Sequence, residues 1–270
     1  MRYILITDKE ELIKYKEKIF NLYFNCWKKE MCHDYWNWFY IDNPCGSPIV
    51  SLVFDDNLLV SHYAVIPLCS KLDDTKLNSY LSADTLTHTE YRGRGLFTIQ
   101  AKMTFLLLKD ILKADIVFGF PNKNSVNGFR KRLGWTILPP DYLVDLRKED
   151  TNELVKYGGF LMNKKNKLKI NPSIIKWRLS KPNIVYSLSN NILSKNYIDK
   201  ISILSINWEF YCESDIYNKL NSNEKYNILI NGDFGGFHNN TKNEYLFGYL
   251  WLNKNLGEIG SKSLLLSDVF

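Results

Sequence analysis

The residues between positions 90 and 97 have the composition of a phosphate-binding loop. Glycine and arginine alternate directly after a strand-like run and directly before a helical one. Such a loop leaves several backbone N–H groups unpaired near the positive end of the helix dipole. Glycines let a pyrophosphate approach the backbone, and arginines add positive charge. The pattern therefore predicts an anion site formed by Arg92, Gly93, Arg94, Gly95, Leu96 and Phe97.

Regular elements must position this loop. Residues 49–54 and 58–66 are β-rich runs separated by a short polar turn, which is typical of a hairpin. Residues 79–88 form the next predicted strand and lead into the loop. A helical spacing of apolar residues then covers 96–111, and residues 115–120 have the composition of a short buried strand. The predicted order is strand, glycine loop, helix, strand.

Two common phosphate loops do not fit these residues. A Walker A loop requires Lys and Ser or Thr after its last glycine, whereas Leu96 and Phe97 follow Gly95. A dinucleotide-binding fingerprint requires a small residue where Thr98 stands and an acid at the end of the next strand, whereas Asp115 lies at its beginning. Both alternatives are therefore disfavoured.

The residues resemble a third family, the GNAT superfamily of acyl-CoA N-acyltransferases. Residues 87–97 are similar to its motif A, Arg/Gln-x-x-Gly-x-Gly/Ala, with Arg92 and Gly95 at the first two fixed positions and Phe97 in place of the third. Residues 118–125 and the later Gly134-Trp135 pair resemble its motif B.

An aromatic segment extends the resemblance towards the N-terminus. Its residues resemble a GNAT subgroup that is often associated with surface-polysaccharide gene sets, and they are Trp36, Trp38, Tyr40, Asn43 and Pro44. Altogether the resemblance covers about residues 10 to 140. It implies an α+β fold with a mixed, mostly antiparallel sheet flanked by helices.

The resemblance also implies acetyl-CoA as co-substrate. Its pantetheine arm would lie between strands 79–88 and 115–120, which separate in that fold. A backbone N–H near Leu86 or Thr87 would polarise the thioester carbonyl. Asn124 would hold a pantetheine amide. The resemblance implies that the acetyl group is transferred directly from this thioester to an amine.

Two residues are candidates for the general base. Asp84 lies on the strand that leads to the glycine loop, and His62 lies on a predicted neighbouring strand. Both also have structural interpretations, as a structural carboxylate and as a hydrogen-bonded interior histidine. Many GNAT members have a tyrosine as general acid at the position where Arg130 stands in this chain.

We therefore expect an N-acetyltransferase whose acceptor is a small-molecule primary amine, such as an amino sugar or a nucleotide-linked amino sugar. The alternative is a non-catalytic acyl-CoA-binding module. The expected lobes are a catalytic lobe at residues 1–147 and a C-terminal lobe at 148–270. The second lobe would be a degenerate GNAT-like copy, because residues 177–188 parallel residues 38–52.

Composition excludes several other classes of protein. The chain has 270 residues, 45% of them hydrophobic, and a net charge of +6 without a long cationic run, so we expect neither a nucleic-acid partner nor a membrane span. Its five cysteines lack CxxC spacing and its four histidines lack metal-site spacing, so we expect no disulfide framework and no metal. A reduced, cytoplasmic location fits best.

Overall fold

The computed structural model describes residues 1–189, 192–197, 200–206, 217–218, 220, 224–237 and 241–262. Within them the chain is a mixed α+β protein in which most neighbouring strands run antiparallel and helices pack against the sheets. The predicted fold class is therefore confirmed. In the described residues, no helix is both long and apolar enough to cross a membrane.

The helical segments include three of twelve residues or more. The α-helices are α1 (Lys9–Ile13), α2 (Lys16–Trp27), α3 (His33–Trp36), α4 (Leu96–Asp110), α5 (Thr151–Asn163) and α6 (Ile175–Arg178). Two π-helical turns cover Asn37–Ile41 and Gly128–Arg132, and 3₁₀ turns cover Thr89–Tyr91, Lys148–Asp150 and Pro172–Ile174.

The strands are mostly short. In chain order they are β1 (Arg2–Ile6), β2 (Ile49–Asp55), β3 (Leu58–Pro67), β4 (Ser70–Leu72), β5 (Thr75–Leu77), β6 (Ser79–Thr87), β7 (Ile116–Gly119), β8 (Thr136–Ile137), β9 (Asp141–Leu146), β10 (Lys167–Ile170), β11 (Tyr186–Ser189), β12 (Ile192–Tyr197), β13 (Lys200–Ile206), β14 (Tyr226–Ile230), β15 (Thr241–Tyr245), β16 (Gly248–Trp251) and β17 (Ser261–Lys262). The predicted hairpin, the strand before the glycine loop and the helix after it are confirmed by β2, β3, β6 and α4.

The chain separates into two compact units, and neither unit is a continuous segment. The first consists of Met1–Ser70, Lys76–Ile137 and Gly248–Leu256; the second consists of Lys71–Thr75, Leu138–Phe247 and Gly257–Phe270. This division differs from continuous lobes that meet at residues 147 and 148. Strand β9 lies in the second unit, and strand β16 lies in the first.

A seven-stranded sheet forms the centre of the first unit. Its strand order is β1-β2-β3-β6-β7-β16-β8, and the only parallel neighbours in it are β6 and β7. A parallel pair needs a crossover connection, and α4 supplies it. The helix buries apolar side chains at helical spacing, which include Leu96, Ala101, Phe105 and Leu108.

The parallel strands β6 and β7 separate at their carboxyl ends. Their pairing begins with Ser79 opposite Ile116 and ends with Ser82 opposite Gly119, whereas β6 continues to Thr87. Residues 83–87 of β6 therefore have no strand partner on the β7 side within the described part of the chain. We call these residues the open edge of β6.

A β-bulge lies within the open edge. Strand β3 pairs His62 with Leu86 and Ala64 with Ala83, so that Asp84 and Thr85 oppose the single residue Tyr63. Asp84 has a φ of 44°, in the left-handed region that costs a non-glycine residue about 1–2 kcal/mol. Such strained residues cluster at functional sites. The strained backbone is therefore a second reason, besides its carboxylate, to consider Asp84 a functional residue.

The second unit repeats this strand arrangement. Its six-stranded sheet has the order β11-β12-β13-β14-β9-β15, and among the described strands of this sheet β13 and β14 are the one parallel pair. A register shift between Leu193 and Ser194 makes a bulge, and the parallel pairing ends at Ile203 opposite Ile228. Strands β2, β3, β6, β7, β16 and β8 thus correspond in order to β11, β12, β13, β14, β9 and β15.

The sequence that connects β13 and β14 differs from the one that connects β6 and β7. Its residues 207–216 lie outside the described residues. The sequence contains no glycine between Ile206 and Gly232, so no glycine loop follows β13.

A buried ion pair in this unit joins Lys262 Nζ to Asp141 Oδ2 at 2.5 Å.

One disulfide is present, although the cysteine spacing predicted no disulfide framework. Cys45 and Cys69 are bonded, with Cα atoms 5.8 Å apart. Cys45 follows the π-helical turn Asn37–Ile41 and Cys69 follows β3, so only the folded chain brings them together. A hydrogen bond connects the same two segments, since Asn43 Nδ2 donates to the Pro67 carbonyl at 2.9 Å. Cys212 lies outside the described residues.

Candidate active site

The glycine loop lies at the N-terminus of α4 as predicted. Gly93 and Gly95 have φ values of 79° and 77°, and a Cβ added at either would meet no atom within 4 Å. Gly95 is the N-cap of α4, and no side chain caps the helix. The N–H groups of its first turn thus face a surface that glycine leaves open. This is the geometry that an anion requires.

Both loop arginines are exposed and held by backbone oxygens. Arg92 Nε donates to the Thr87 carbonyl at 3.3 Å, and Arg94 Nη2 donates to the Glu90 carbonyl at 3.1 Å. The Arg94 guanidinium also lies over the Tyr91 ring, at 4.6 Å from its centroid. These contacts keep two positive charges beside the loop without neutralising them.

Phe97 packs away from the loop surface, which explains how a large residue is accommodated at the third fixed position of motif A. Its ring centroid lies 5.7 Å from that of Tyr63 and 4.9 Å from that of Phe129. Gly128 makes room for it, because a Cβ there would lie 3.1 Å from Phe97 Cε1. The backbone N–H of Phe97 stays in the first turn of α4.

Leu86 and Thr87, the two residues expected near the thioester, direct their backbone N–H groups to opposite edges of β6. His88 N–H donates to the Val60 carbonyl at 2.9 Å, and Leu86 pairs with His62 in the same register. In an antiparallel pair, polar backbone groups of alternate residues point to opposite edges. The N–H of Leu86 therefore points towards β3, whereas that of Thr87 points to the open edge. The Thr87 carbonyl on that edge accepts from Arg92 and from Cys26 Sγ at 3.4 Å.

Asp84 and His62 lie together with Tyr40 at the bulge. The Tyr40 hydroxyl donates to Asp84 Oδ2 at 2.7 Å, and His62 Nδ1 lies 2.7 Å from the Asp84 carbonyl oxygen. The Tyr40 and His62 rings meet edge to face at 6.3 Å. Burial and then the Asp84 charge hold the pKa of Tyr40 well above its usual range, so this hydroxyl keeps its proton.

The tautomer of His62 follows from its partner. A carbonyl oxygen can only accept, so Nδ1 carries the hydrogen and Nε2 carries the lone pair in the neutral ring. Nε2 is buried without a hydrogen-bond partner in the described residues. Burial lowers the pKa of His62, and the Asp84 charge opposes this only in part. His62 is therefore neutral near pH 7.

This shift predicts a pH dependence of stability. Because the folded pKa of His62 lies below the unfolded value of about 6.5, the unfolded state binds the additional proton as the pH falls. We expect stability to decrease below about pH 6.5, with up to about 1.4 kcal/mol per pH unit from this group. Urea unfolding between pH 5 and 8 should show a smaller slope in His62→Gln than in wild type.

The matched control is the exposed residue His33, whose ring contacts Phe20 at 4.7 Å. His33→Gln should retain the wild-type slope. An unchanged slope in His62→Gln would mean that His62 is not the titrating group.

A buried polar link that sequence reasoning missed fixes the end of β6 to α4. The Ser61 hydroxyl donates to Gln100 Oε1 at 2.6 Å and lies 3.1 Å from Thr87 Oγ1. Gln100 Nε2 in turn donates to the Ser51 carbonyl at 2.7 Å. Gln100 is fully buried on a largely apolar helix face, and a lone amide in that position is the sequence signal that could have identified it.

The motif B residues lie in the turn and helix after β7. Asn122 Oδ1 accepts from the N–H groups of Asn124 and Ser125, which shapes the turn and leaves the Asn124 side chain exposed. Arg130 is exposed on the π-helical turn Gly128–Arg132. In the described residues, no three acidic, histidine or cysteine side chains come together to hold a metal ion.

The structure thus brings Asp84, His62 and Thr87 to one strand pair beside the glycine loop, and places Asn124 after the neighbouring strand β7. Tyr40, a residue of the aromatic segment, joins this group through its hydroxyl. Its buried ring does pack, and its hydroxyl binds Asp84.

Comparison with known proteins agrees with this geometry. Residues 12–138 match the family described as Acetyltransferase (GNAT) domain. No curated protein sequence matches the chain. A GCN5-related N-acetyltransferase from Anabaena variabilis has a TM-score of 0.65 at 11% identity, over 93% of this chain and 73% of that chain.

Two further solved structures are similar. A probable N-acyltransferase from Enterococcus faecalis has a TM-score of 0.65 at 11% identity, over 93% of this chain and 72% of that one. A GCN5-related N-acetyltransferase from Kribbella flavida has a TM-score of 0.61 at 10% identity, with the same coverage of 93% and 72%. At these identities the likeness concerns the fold. Residues 12–138 are thus similar to GNAT acetyltransferase domains, and the chain has the fold of GNAT N-acetyltransferases.

Proposed function

We propose that the chain transfers an acetyl group from acetyl-CoA directly to a primary amine. The observation that carries this proposal is the open edge of β6. At one end of this edge lies the glycine loop, where no side chain caps helix α4, and within the edge lies the bulge at Asp84. A thioester on this edge would lie beside backbone N–H groups and beside a carboxylate.

The donor would bind along the open edge and the loop. Its pyrophosphate would accept hydrogen bonds from the first turn of α4 and pair with Arg92 and Arg94. Its pantetheine arm would add to β6 as an extra strand, with Asn124 at one amide. The Thr87 N–H would polarise the thioester carbonyl, as a donor fixed by the sheet before the reaction begins.

Asp84 would act as the base for the acceptor. Tyr40 occupies Oδ2, which leaves Oδ1 to receive a proton from the acceptor ammonium and so form the neutral amine. His62 holds the backbone at the bulge through the Asp84 carbonyl, and its Nε2 is a second acceptor beside this site. The amine would then attack the thioester carbon, and the thiolate of CoA would leave.

We further propose an amino sugar or a nucleotide-linked amino sugar as acceptor. The aromatic segment Trp36, Trp38 and Tyr40, with its resemblance to the polysaccharide-associated subgroup, supports this choice. A screen of amino sugars, polyamines and peptides with acetyl-CoA tests it, with thiol release and the mass of the product as readouts. Turnover with polyamines or peptides but not with amino sugars would overturn the acceptor and retain the reaction.

A non-catalytic acyl-CoA-binding module is the second candidate. It is favoured by one observation, the exposed Arg130 at the position where many GNAT members have their tyrosine acid. Binding of acetyl-CoA without turnover of any amine would support this alternative. Thiol release that depends on an amine and on Asp84 would exclude it.

The second unit is proposed to be a degenerate copy of the first. Its sheet has the same strand order and a bulge in the corresponding strand, but no glycine follows β13 before Gly232. Without glycines to expose the backbone, a second pyrophosphate site has no basis there. We therefore expect one acetyl-CoA per chain, which the stoichiometry of a titration would report.

A further inference from the structure

Helix α2 packs against β3 and β6 and brings two half-buried side chains to the open edge. Ile19 and Leu22 are its buried core contacts. Cys26 Sγ lies 3.4 Å from the Thr87 carbonyl oxygen, at the end of the open edge nearest the glycine loop. Tyr23 precedes Cys26 by three residues and therefore lies on the same helix face, about 4.5 Å back along the axis.

Tyr23 is half-buried on helix α2, which packs against β6, one helical turn before Cys26. Burial raises the pKa of the Tyr23 hydroxyl, and the nearby Asp84 carboxylate raises it further. Cys26 thus lies next to Thr87, and the Tyr23 hydroxyl lies near enough to the open edge for the Asp84 charge to act on it. A thioester bound between Asp84 and Thr87 would have the Tyr23 phenol beside it.

The reaction needs a group of this kind. Breakdown of the tetrahedral intermediate releases a thiolate, and a positioned acid that protonates it contributes about 10²- to 10⁴-fold in rate. The motif B position holds the exposed Arg130, and an arginine does not give up a proton in proteins. In the described residues, Tyr23 is a phenol at the open edge whose geometry suits this role, whereas Tyr40 is bound to Asp84.

We propose that Tyr23 is the general acid of the transfer, an assignment that rests on the proposed function. The acceptor ammonium first loses one proton through Asp84 to solvent. The resulting amine nitrogen forms a bond to the thioester carbon and loses a second proton to Asp84, which also passes to solvent. The carbon–sulfur bond then breaks, and the sulfur takes the proton of the Tyr23 hydroxyl as it leaves. The resulting phenolate regains a proton from solvent, so that the products are the amide, neutral CoA thiol and one released proton.

The test compares two donors that differ only at the leaving atom. Acetyl-CoA releases a thiolate, whereas its selenoester analogue, with selenium in place of the thioester sulfur, releases a far less basic selenolate that needs no acid. Tyr23→Phe keeps the ring and removes the proton. We expect its kcat to fall roughly 100-fold with acetyl-CoA and no more than about threefold with the selenoester.

Two control variants accompany it. Tyr15→Phe removes a phenol just before α2, where the ring contacts Phe54 at 5.9 Å, and Arg130→Ala removes the exposed residue at the motif B position. Both should turn over the two donors at wild-type rates. Thermal melts of all variants establish that they are folded.

Each remaining outcome decides the assignment. An equal fall with both donors would overturn it in favour of a positioning role, and wild-type turnover with both donors would overturn it outright. A large fall in Arg130→Ala with acetyl-CoA alone would overturn the assignment in favour of charge stabilisation of the thiolate by Arg130. A wild-type protein that acetylates no amine would overturn the proposed function, a result distinct from the other three.

Discussion

Replacing Asp84 with asparagine is expected to lower kcat by about 10²- to 10⁴-fold, because the base that takes the acceptor proton is lost. The variant should fold normally. Asparagine tolerates the left-handed backbone that φ 44° imposes, and its amide oxygen can still accept from the Tyr40 hydroxyl. The measurement is steady-state thiol release at saturating acetyl-CoA and amine.

The same variant should bind acetyl-CoA with wild-type affinity, since the loop and the Thr87 backbone are unchanged. Loss of turnover without loss of donor binding would assign Asp84 to chemistry rather than to folding. A kcat within twofold of wild type would contradict the role of Asp84 as the base. His62→Gln offers a comparison, because it keeps Asp84 and removes the neighbouring lone pair at Nε2.

Ending the chain after Phe247 is expected to unfold the first unit, although the cut lies far along the sequence from the glycine loop. The cut removes β16, whose register runs from Gly248 opposite Gly119 to Trp251 opposite Ile116. It leaves the edges of β7 and β8 unpaired and removes the buried side chain of Tyr249. It also removes hydrogen bonds from Asn253 Nδ2 to the Lys109 and Ala114 carbonyls.

A matched truncation separates this effect from the loss of the chain end. A chain that ends after Leu256 keeps β16 and Asn253 and loses β17, which belongs to the second unit. Burial of one large apolar side chain contributes about 1.5–3 kcal/mol, and domains are stable by about 5–15 kcal/mol. We therefore expect the 247-residue chain to lack cooperative thermal unfolding of the first unit and the 256-residue chain to retain it. Similar melts for both would contradict the placement of β16.

The sequence predicted the elements around the loop because each has a local signal. Alternating β-rich runs and a turn identified β2 and β3, and a helical period after Gly95 identified α4. The strand β16 could not be assigned to the first unit in this way. Its partners Gly119 and Ile137 are more than a hundred residues away, and no local pattern encodes such a pairing.

In the site, likewise, features made by neighbouring residues could be predicted, whereas contacts between residues far apart in the sequence could not. Arg92, Gly93 and Gly95 are contiguous and carry their chemistry in their spacing, so the loop was predictable. The bond from Tyr40 to Asp84 joins residues 44 positions apart, and the link from Ser61 to Gln100 joins residues 39 apart. The left-handed backbone of Asp84 arises from the register of β3 and β6, which becomes visible only when the strands are paired.

The central claim is that the glycine loop binds the pyrophosphate of acetyl-CoA. Calorimetric titration of the folded protein tests it most directly, with Gly95→Glu and Gly134→Glu as a matched pair. Both glycines have positive φ, 77° and 72°, and open space around a Cβ, so the backbone strain is comparable. Only Gly95 lies in the loop, where a carboxylate would repel phosphate.

We expect wild type and Gly134→Glu to bind acetyl-CoA with similar affinity and Gly95→Glu to bind at least about 100-fold more weakly, which corresponds to about 2.7 kcal/mol. A pantetheine fragment without the pyrophosphate should not distinguish the three proteins. Equal affinity of Gly95→Glu and wild type for acetyl-CoA, or no binding by the folded wild-type protein, would contradict the account.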